Sequence, residues 1–385
     1  MPDIDVNHLF LAATHTHTHA APVLLQNRYQ DYGGAMEPDE YVPFLFERMA
    51  EAVVRAWEQR KPGMAAWGLG HAAVGYNRRA VYADGHATMY GNTDRPNFRR
   101  VEGYQDAGMH VLCLYNSERK LKAAVLAPAA PSQATGGQRL SADFWAPARR
   151  RIKESYGEDV TVLGFCAPSG DQANRPLFRR DPDLRMAKLR GLTWTEELGR
   201  RVAEAFAEVE PIIRKDIRNH PPFAHHVERF EIPEHPVSDE RYARYRKELD
   251  QLEAKDKMVG PDWWNRHFYE LIVQRYERQQ QGENGHPVEM HVLRIGDLAI
   301  ATNPFELYLD YGVQIQARSP APQTMPIQLA SPIGFEYYLP TPRALEAGGY
   351  SAEQTFIVGP EGGQALVERT VEAIGRMWKS KKESE

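Results

Sequence analysis

The chain has 385 residues, 42% of them hydrophobic and 26% charged, with a formal net charge of -5. That length accommodates one large domain or two ordinary ones with ample core, and the mildly acidic balance gives no electrostatic case for nucleic acid or an anionic membrane surface. Two cysteines, Cys113 and Cys166, cannot build a disulfide framework and lack metal-ligand spacing, and no stretch approaches the ~20 apolar residues of a membrane span.

The start, "MPDIDVNHLF", lacks the basic-then-apolar order of a secretory signal. A cytoplasmic location is the default expectation, although the chain opens almost inside a strand and its beginning reads as incomplete. The first strong signal is "LAATHTHTHAAP", Leu11 to Pro22, where Thr14, Thr16 and Thr18 alternate with His15, His17 and His19. Threonine and alternation favour an extended strand with all three imidazoles on one face. Neighbouring rings would then lie about 7 Å apart and the outer pair about 13 Å. Two of them can share a metal; all three cannot while the strand stays straight. Solvent-facing histidines on an edge strand would give the same string.

Further along, Leu45, Met49, Val53 and Trp57 keep helical spacing, which predicts a helix from Pro38 to Arg60. "AAWGLGHAAVGYNRRAVYADGHATMYGN" reads as short strands broken by turns. A hairpin follows at 108–131, with Asn116 to Lys120 at its tip. Ser141 to Glu154 reads as a basic helix, and "DVTVLGFCAPSGDQANRP" as a buried strand entering a glycine-containing loop. Thr193 and Glu196 have capping-box spacing ahead of a helix running to Arg214. "HPPFAHH", His220 to His226, is either a second metal patch or, among its prolines, a surface loop; the loop is favoured, since ligands without supporting partners seldom hold metal. A charged helix at 238–257 and one carrying Trp263, Trp264, Phe268, Leu271 and Ile272 come next. "VEMHVLRIGDLAIATNPFE" predicts a hairpin turning at Gly296-Asp297. Leu366, Val367, Val371, Ile374 and Trp378 share one face of a closing helix, Gly363 to Trp378. With no repeat and no long linker, residues 1–385 read as a single mixed α/β domain, sheets flanked by helices.

Four stretches place reactive residues where strands give way to loops, the usual place for sites in α/β proteins: His15 and His17, Gly170-Asp171, Glu306, and Tyr337-Tyr338. Together with "YNRR" (Tyr76 to Arg79), "LSADFWAPARRR", "GFCAPSGDQANRP", "VLRIGDLAIATNPFELYLDYG" and "YYLPTPRALEAGGYSAEQ", and in this order, the chain resembles the neutral/alkaline ceramidase family from residue 11 to about 375. The resemblance implies a ceramidase-like α/β catalytic domain without the family's first strands and C-terminal β-sandwich, so an exposed sheet edge and a homo-oligomer are expected. It also implies a catalytic Zn2+ held by His15, Glu306 and Tyr338, with His17 beside it and Arg78 contacting the substrate. His17, Arg78 and Asp171 are the candidate catalytic residues.

The chain departs from the family twice. Ala130 stands where the second histidine ligand precedes a proline, and Ala173 where the active-site serine follows Gly-Asp. A methyl group neither ligates a metal nor acts as a nucleophile, so a serine mechanism there is excluded. His17, His19 and Asp171 are the nearest replacements for the lost ligand, and Ser132 or Ser169 offers a hydroxyl. The implied activity is hydrolysis of an amide, ceramide-like, N-acyl or smaller, by metal-activated water. A metal-poor ligand-binding protein and a carbohydrate-active hydrolase on the same scaffold are the alternatives.

Overall fold

A computed structural model describes residues 4–18, 36, 38–137, 139–330 and 337–379. Two four-stranded sheets face each other. The first runs Met64–His71, Gly108–Tyr115, Leu121–Pro128, Thr161–Gly164; the second runs Phe223–Pro233, Gly285–Ile295, Leu298–Thr302, Gln323–Ile327. Each sheet repeats one pattern of directions, antiparallel, antiparallel, then parallel. In both, a hairpin leads through a helix into the final parallel strand, so the carboxyl ends of the two parallel pairs open toward loops. The architecture is the expected mixed α/β one.

Period-two alternation builds the layers. Along Gly108–Tyr115, Met109, Val111 and Cys113 pack against the helices Trp145–Tyr156 and Trp194–Ile213. Leu112 points the other way, into a central layer shared with Leu298, Ile300, Met325 and Ile327 of the second sheet. On the second sheet's outer face, Met290, Val292, Ala299 and Ala301 meet the helices Leu309–Arg318 and Pro360–Lys379. The order is helix, sheet, sheet, helix. Among the described residues no helix is long and apolar enough to cross a membrane.

The locally encoded elements match their expectations. Helix 38–58 forms with Pro43 inside it, the hairpin tip closes through Asn116 N donating to Lys120 O, and the Thr193–Glu196 capping box is present. Besides the histidine segment described below, two elements differ. The expected helix at Ser141 starts at Trp145, because Ser141 Oγ and then the Asp143 carboxylate accept backbone N–H groups ahead of it, with Asp143 at φ 52°. The "HPPFAHH" segment is not a loop beyond Pro222; it enters an eleven-residue strand, Phe223–Pro233, paired along its whole length with Gly285–Ile295. There His225 Nε2 meets His291 Nδ1 at 3.0 Å and His226 meets Glu228 at 3.3 Å, so both histidines have protein partners.

His110 lies between the sheets, with Gln323 Nε2 3.4 Å from its Nδ1. Burial drives its pKa down to about 4 against the opposing pull of Asp106 and Gln316. The unfolded chain, with histidine near ~6.5, then binds a proton that the folded one refuses. This share of stability is complete above about pH 6.5 and lost progressively down to about pH 4. Thermal melts between these limits are expected to fall less steeply for His110→Gln than for the parent, and equal slopes would refute the assignment.

Candidate active site

The histidine segment meets the loops at the sheet ends through a β-bridge, Ala12 to Ala330. Ala13 N donates to Leu329 O at 3.0 Å and Ser132 N donates to Thr14 O at 2.9 Å, so residues 12–14 are pinned between exit loops of the two sheets. The chain does not continue as the straight strand expected from its alternation. His15 adopts φ 62°, a left-handed conformation that costs a side-chain-bearing residue about 1–2 kcal/mol. The turn places His15 Nε2 3.1 Å from Glu306 Oε2 and brings the His15 and His17 rings within 4.9 Å, edge to face. His17 Nε2 lies 2.9 Å from Gln133 Nε2. His19 falls outside the described residues.

Glu306 and Tyr338 are cross-strand partners in a short parallel ladder, Glu306–Leu307 with Tyr338–Leu339, and both are buried. Neighbours in a ladder share a face, so their side chains lie together, while Tyr337, one residue earlier, turns its hydroxyl to His267 at 2.8 Å. Gly170 supports this ladder from behind. Its N–H donates to Leu307 O at 2.8 Å, and a Cβ there would fall 2.2 Å from Glu306 O. Gln328 Oε1 accepts from both Ser169 N and Leu307 N at 3.0 Å. Ser169 is absorbed by that network through Cys166 and Gln328.

Arg78 crosses the site buried, with its Cζ 5.2 Å from the Tyr338 ring centre and its Nη2 donating to Gly170 O at 2.8 Å. Its neighbour Arg79 points away into a buried pair with Glu102, Nε to Oε2 at 2.6 Å, and fixes the strand that aims Arg78. Asp171 turns from the histidines. One carboxylate oxygen accepts from Asn77 Nδ2 at 2.7 Å and the other from Leu309 N at 3.1 Å, while its carbonyl accepts from Arg78 N. Burial raises the Asp171 pKa, against the backbone bond from Leu309.

The electrostatics are coupled. Burial opposes ionisation of Glu306, yet His15, Arg78 and the Tyr338 hydroxyl outweigh it and hold the carboxyl below its usual value. Burial pushes Tyr338 well above the ordinary phenol value, with Arg78 pulling it down. Among the described residues three buried polar atoms around this centre lack a hydrogen bond: His15 Nε2, Arg78 Nε and Ser132 Oγ. Glu306 Oε2 is near His15 Nε2 but off the line of a hydrogen bond. Two ligands bound at about 2.1 Å to one tetrahedral zinc lie roughly 3.4 Å apart. The unsatisfied Nε2 and the nitrogen-oxygen donor types therefore fit such an ion. Among the described residues no three His, Cys, Asp or Glu side chains gather as a metal cluster, so a cation here depends on the Tyr338 phenol as third donor.

No family model and no curated protein matches the sequence. In three dimensions the chain is similar to the crystal structure of neutral ceramidase from Pseudomonas aeruginosa, with a TM-score of 0.63 at 16% identity, covering 96% of this chain and 61% of that one. A ceramidase complexed with C2 matches with the same TM-score and identity over 62% of its length. The fold is ceramidase-like. The chain spans about three-fifths of the length of those structures.

On this ceramidase-like frame the structure brings together five of the six residues singled out from sequence, His15, His17, Arg78, Glu306 and Tyr338, and sets Asp171 behind them. Sequence reasoning missed Gln133 and Tyr350. Tyr350 packs edge to face on Tyr338 with ring centres 5.8 Å apart, and burial first, then the charge of Glu306, raises it to about 12. The "GGY" of the closing motif carried that signal unread.

The absence of a side chain at Gly170 sets the position of Glu306. Gly170→Ala is expected to lower stability by about 1–3 kcal/mol, the usual range for overpacking, and to move the Glu306 carboxylate off His15. Urea unfolding and a crystal structure of the variant check this; an unshifted midpoint with Glu306 in place would refute it.

Proposed function

We propose that this chain is a divergent ceramidase-like hydrolase that cleaves an amide bond, with His15, Glu306 and Tyr338 as the residues that hold Zn2+. One observation carries the reading: an imidazole, a carboxylate and a phenol from distant segments meet beside a buried arginine at the loop ends of a ceramidase-like fold. Zinc bound there supplies polarisation of a carbonyl and a water acidified to a pKa of ~7. Arg78, with an unpartnered buried Nε–H, is placed to donate to a carbonyl oxygen as negative charge develops on it. His17, two residues from His15 and held by Gln133, would take a proton from the attacking water and pass it to the departing amine. Asp171 is a positioning residue, since it fixes Asn77 and the backbone of Arg78 and Leu309. The substrate is an N-acyl amide, lipid-like or small.

Ala130 favours a second reading, a metal-poor protein that binds a ligand with the same fold, because no side chain there can complete a four-ligand set. Elemental analysis separates the two. About one zinc per chain, lost in His15→Ala, supports the hydrolase, and Arg78→Ala should then lower kcat on N-acyl substrates by about 10²–10³ with zinc retained. Protein that holds no zinc, is indifferent to chelator and hydrolyses neither amides nor glycosides supports the binding protein.

A further inference from the structure

Next to the candidate centre lies a cleft of about 250 Å³ whose walls include Gln133, Asn174, Arg175, Arg180 and Trp194. It adjoins the histidines through Gln133, whose side chain contacts His17 and whose N–H donates to Asn174 Oδ1 at 2.7 Å. At its other side the Arg175 guanidinium lies 5.9 Å from the Tyr90 ring, and Tyr90 N donates to Arg78 O at 2.8 Å. The cleft therefore flanks the site between His17 and the Arg78 strand.

Its walls are fixed while its charges are free. Asn174 Nδ2 is held by Val74 O at 2.9 Å, and Trp194 Nε1 donates to Asn174 O at 2.7 Å. Two of the nearby acids already have partners, since Arg201 Nη2 meets Asp183 at 2.9 Å and Arg200 and Arg201 both bind Glu197, while Asp181, next to Arg180 in the chain, forms no ion pair among the described residues. Among the described residues neither Arg175 nor Arg180 pairs with a carboxylate. Arg179 adds a third exposed guanidinium, 5.1 Å from the ring of exposed Phe178. Planar guanidinium groups bind carboxylate and phosphate oxygens through paired, charge-assisted hydrogen bonds.

We propose that Arg175 and Arg180 form an anion subsite, so that the amide cleaved at the neighbouring centre carries a carboxylate or phosphate on one half. The substrate class rests on the hydrolase reading; the anion subsite itself does not.

Two experiments keep those separate. The first measures calorimetric binding to chelator-treated protein, where turnover is absent, of N-octanoylglycine against N-octanoylglycinamide and of N-octanoylphosphoethanolamine against N-octanoylethanolamine. At least one charged member is expected to bind tenfold or more tightly than its neutral match, and the pair that does so identifies carboxylate or phosphate. The preference should shrink to within twofold in Arg175→Gln/Arg180→Gln and invert in Arg180→Glu. Equal affinities in the parent, or a preference that survives both variants, would overturn the subsite. The second measures the ratio of kcat/KM for charged over neutral amide in zinc-loaded protein, which should exceed ten and fall toward one in the double variant. A preserved binding preference with no hydrolysis of any member would sink the hydrolase reading and leave the subsite standing.

Discussion

Gly170 passes so close to Glu306 that a single methyl group would sit 2.2 Å from its carbonyl oxygen. That contact joins the loop leaving the first sheet to the loop leaving the second, and the candidate site is built around it. Gln328 secures the junction by accepting from a backbone N–H on each side. Arg78 is tied to the same point through Gly170 O and Asp171 O. Because each sheet ends in a parallel pair, its two last strands deliver their loops to the same edge of the molecule. Packing at that edge, and no single strong bond, sets where the carboxylate, phenol and guanidinium stand.

The cost of this arrangement is visible in the centre itself. Beside a buried arginine, glutamate and phenol, three polar atoms have no hydrogen-bond partner among the described residues, and unsatisfied buried groups cost about 1–3 kcal/mol each. His15 adds a left-handed backbone held in place by neighbouring hydrogen bonds rather than by its own preference. Other unsatisfied buried atoms among the described residues, on Glu102, Gln172, His235, Arg275 and Arg343, belong to other residues; here such atoms coincide with a left-handed histidine, a combination that fits a site built for a ligand.

Local signals were readable and tertiary ones were not. The Thr193–Glu196 box, the Asn116–Lys120 tip and the Gly296-Asp297 turn are decided by residues a few positions apart, so their chemistry is written in short strings. The "THTHTH" alternation singled out His15 and His17 but implied the wrong backbone, because Ala12, Ala13 and Thr14 are pinned by Ala330, Leu329 and Ser132, segments more than a hundred positions away. Prolines at 221 and 222 disguised the strand that begins immediately after them, since its pairing with 285–295 is long-range. Gln133 and Tyr350 enter the site only by folding, and neither residue type announces itself.

Ala130 and Ala173 bear on how far a scaffold and its chemistry can separate. Both are buried, and both keep their backbone roles: Ala130 N donates to Pro128 O and its carbonyl accepts from Cys166, while Ala173 pairs with Tyr76 in a short ladder. Those backbone bonds require no polar side chain at either position. The layers are held by alternation in the strands, the junction by Gly170, and the direction of Arg78 by the Arg79–Glu102 pair. None of these depends on residues 130 or 173. A ceramidase-like frame is shared at 16% identity without fixing the chemistry, and what this chain performs has to be argued from His15, Arg78, Glu306 and Tyr338 as they stand.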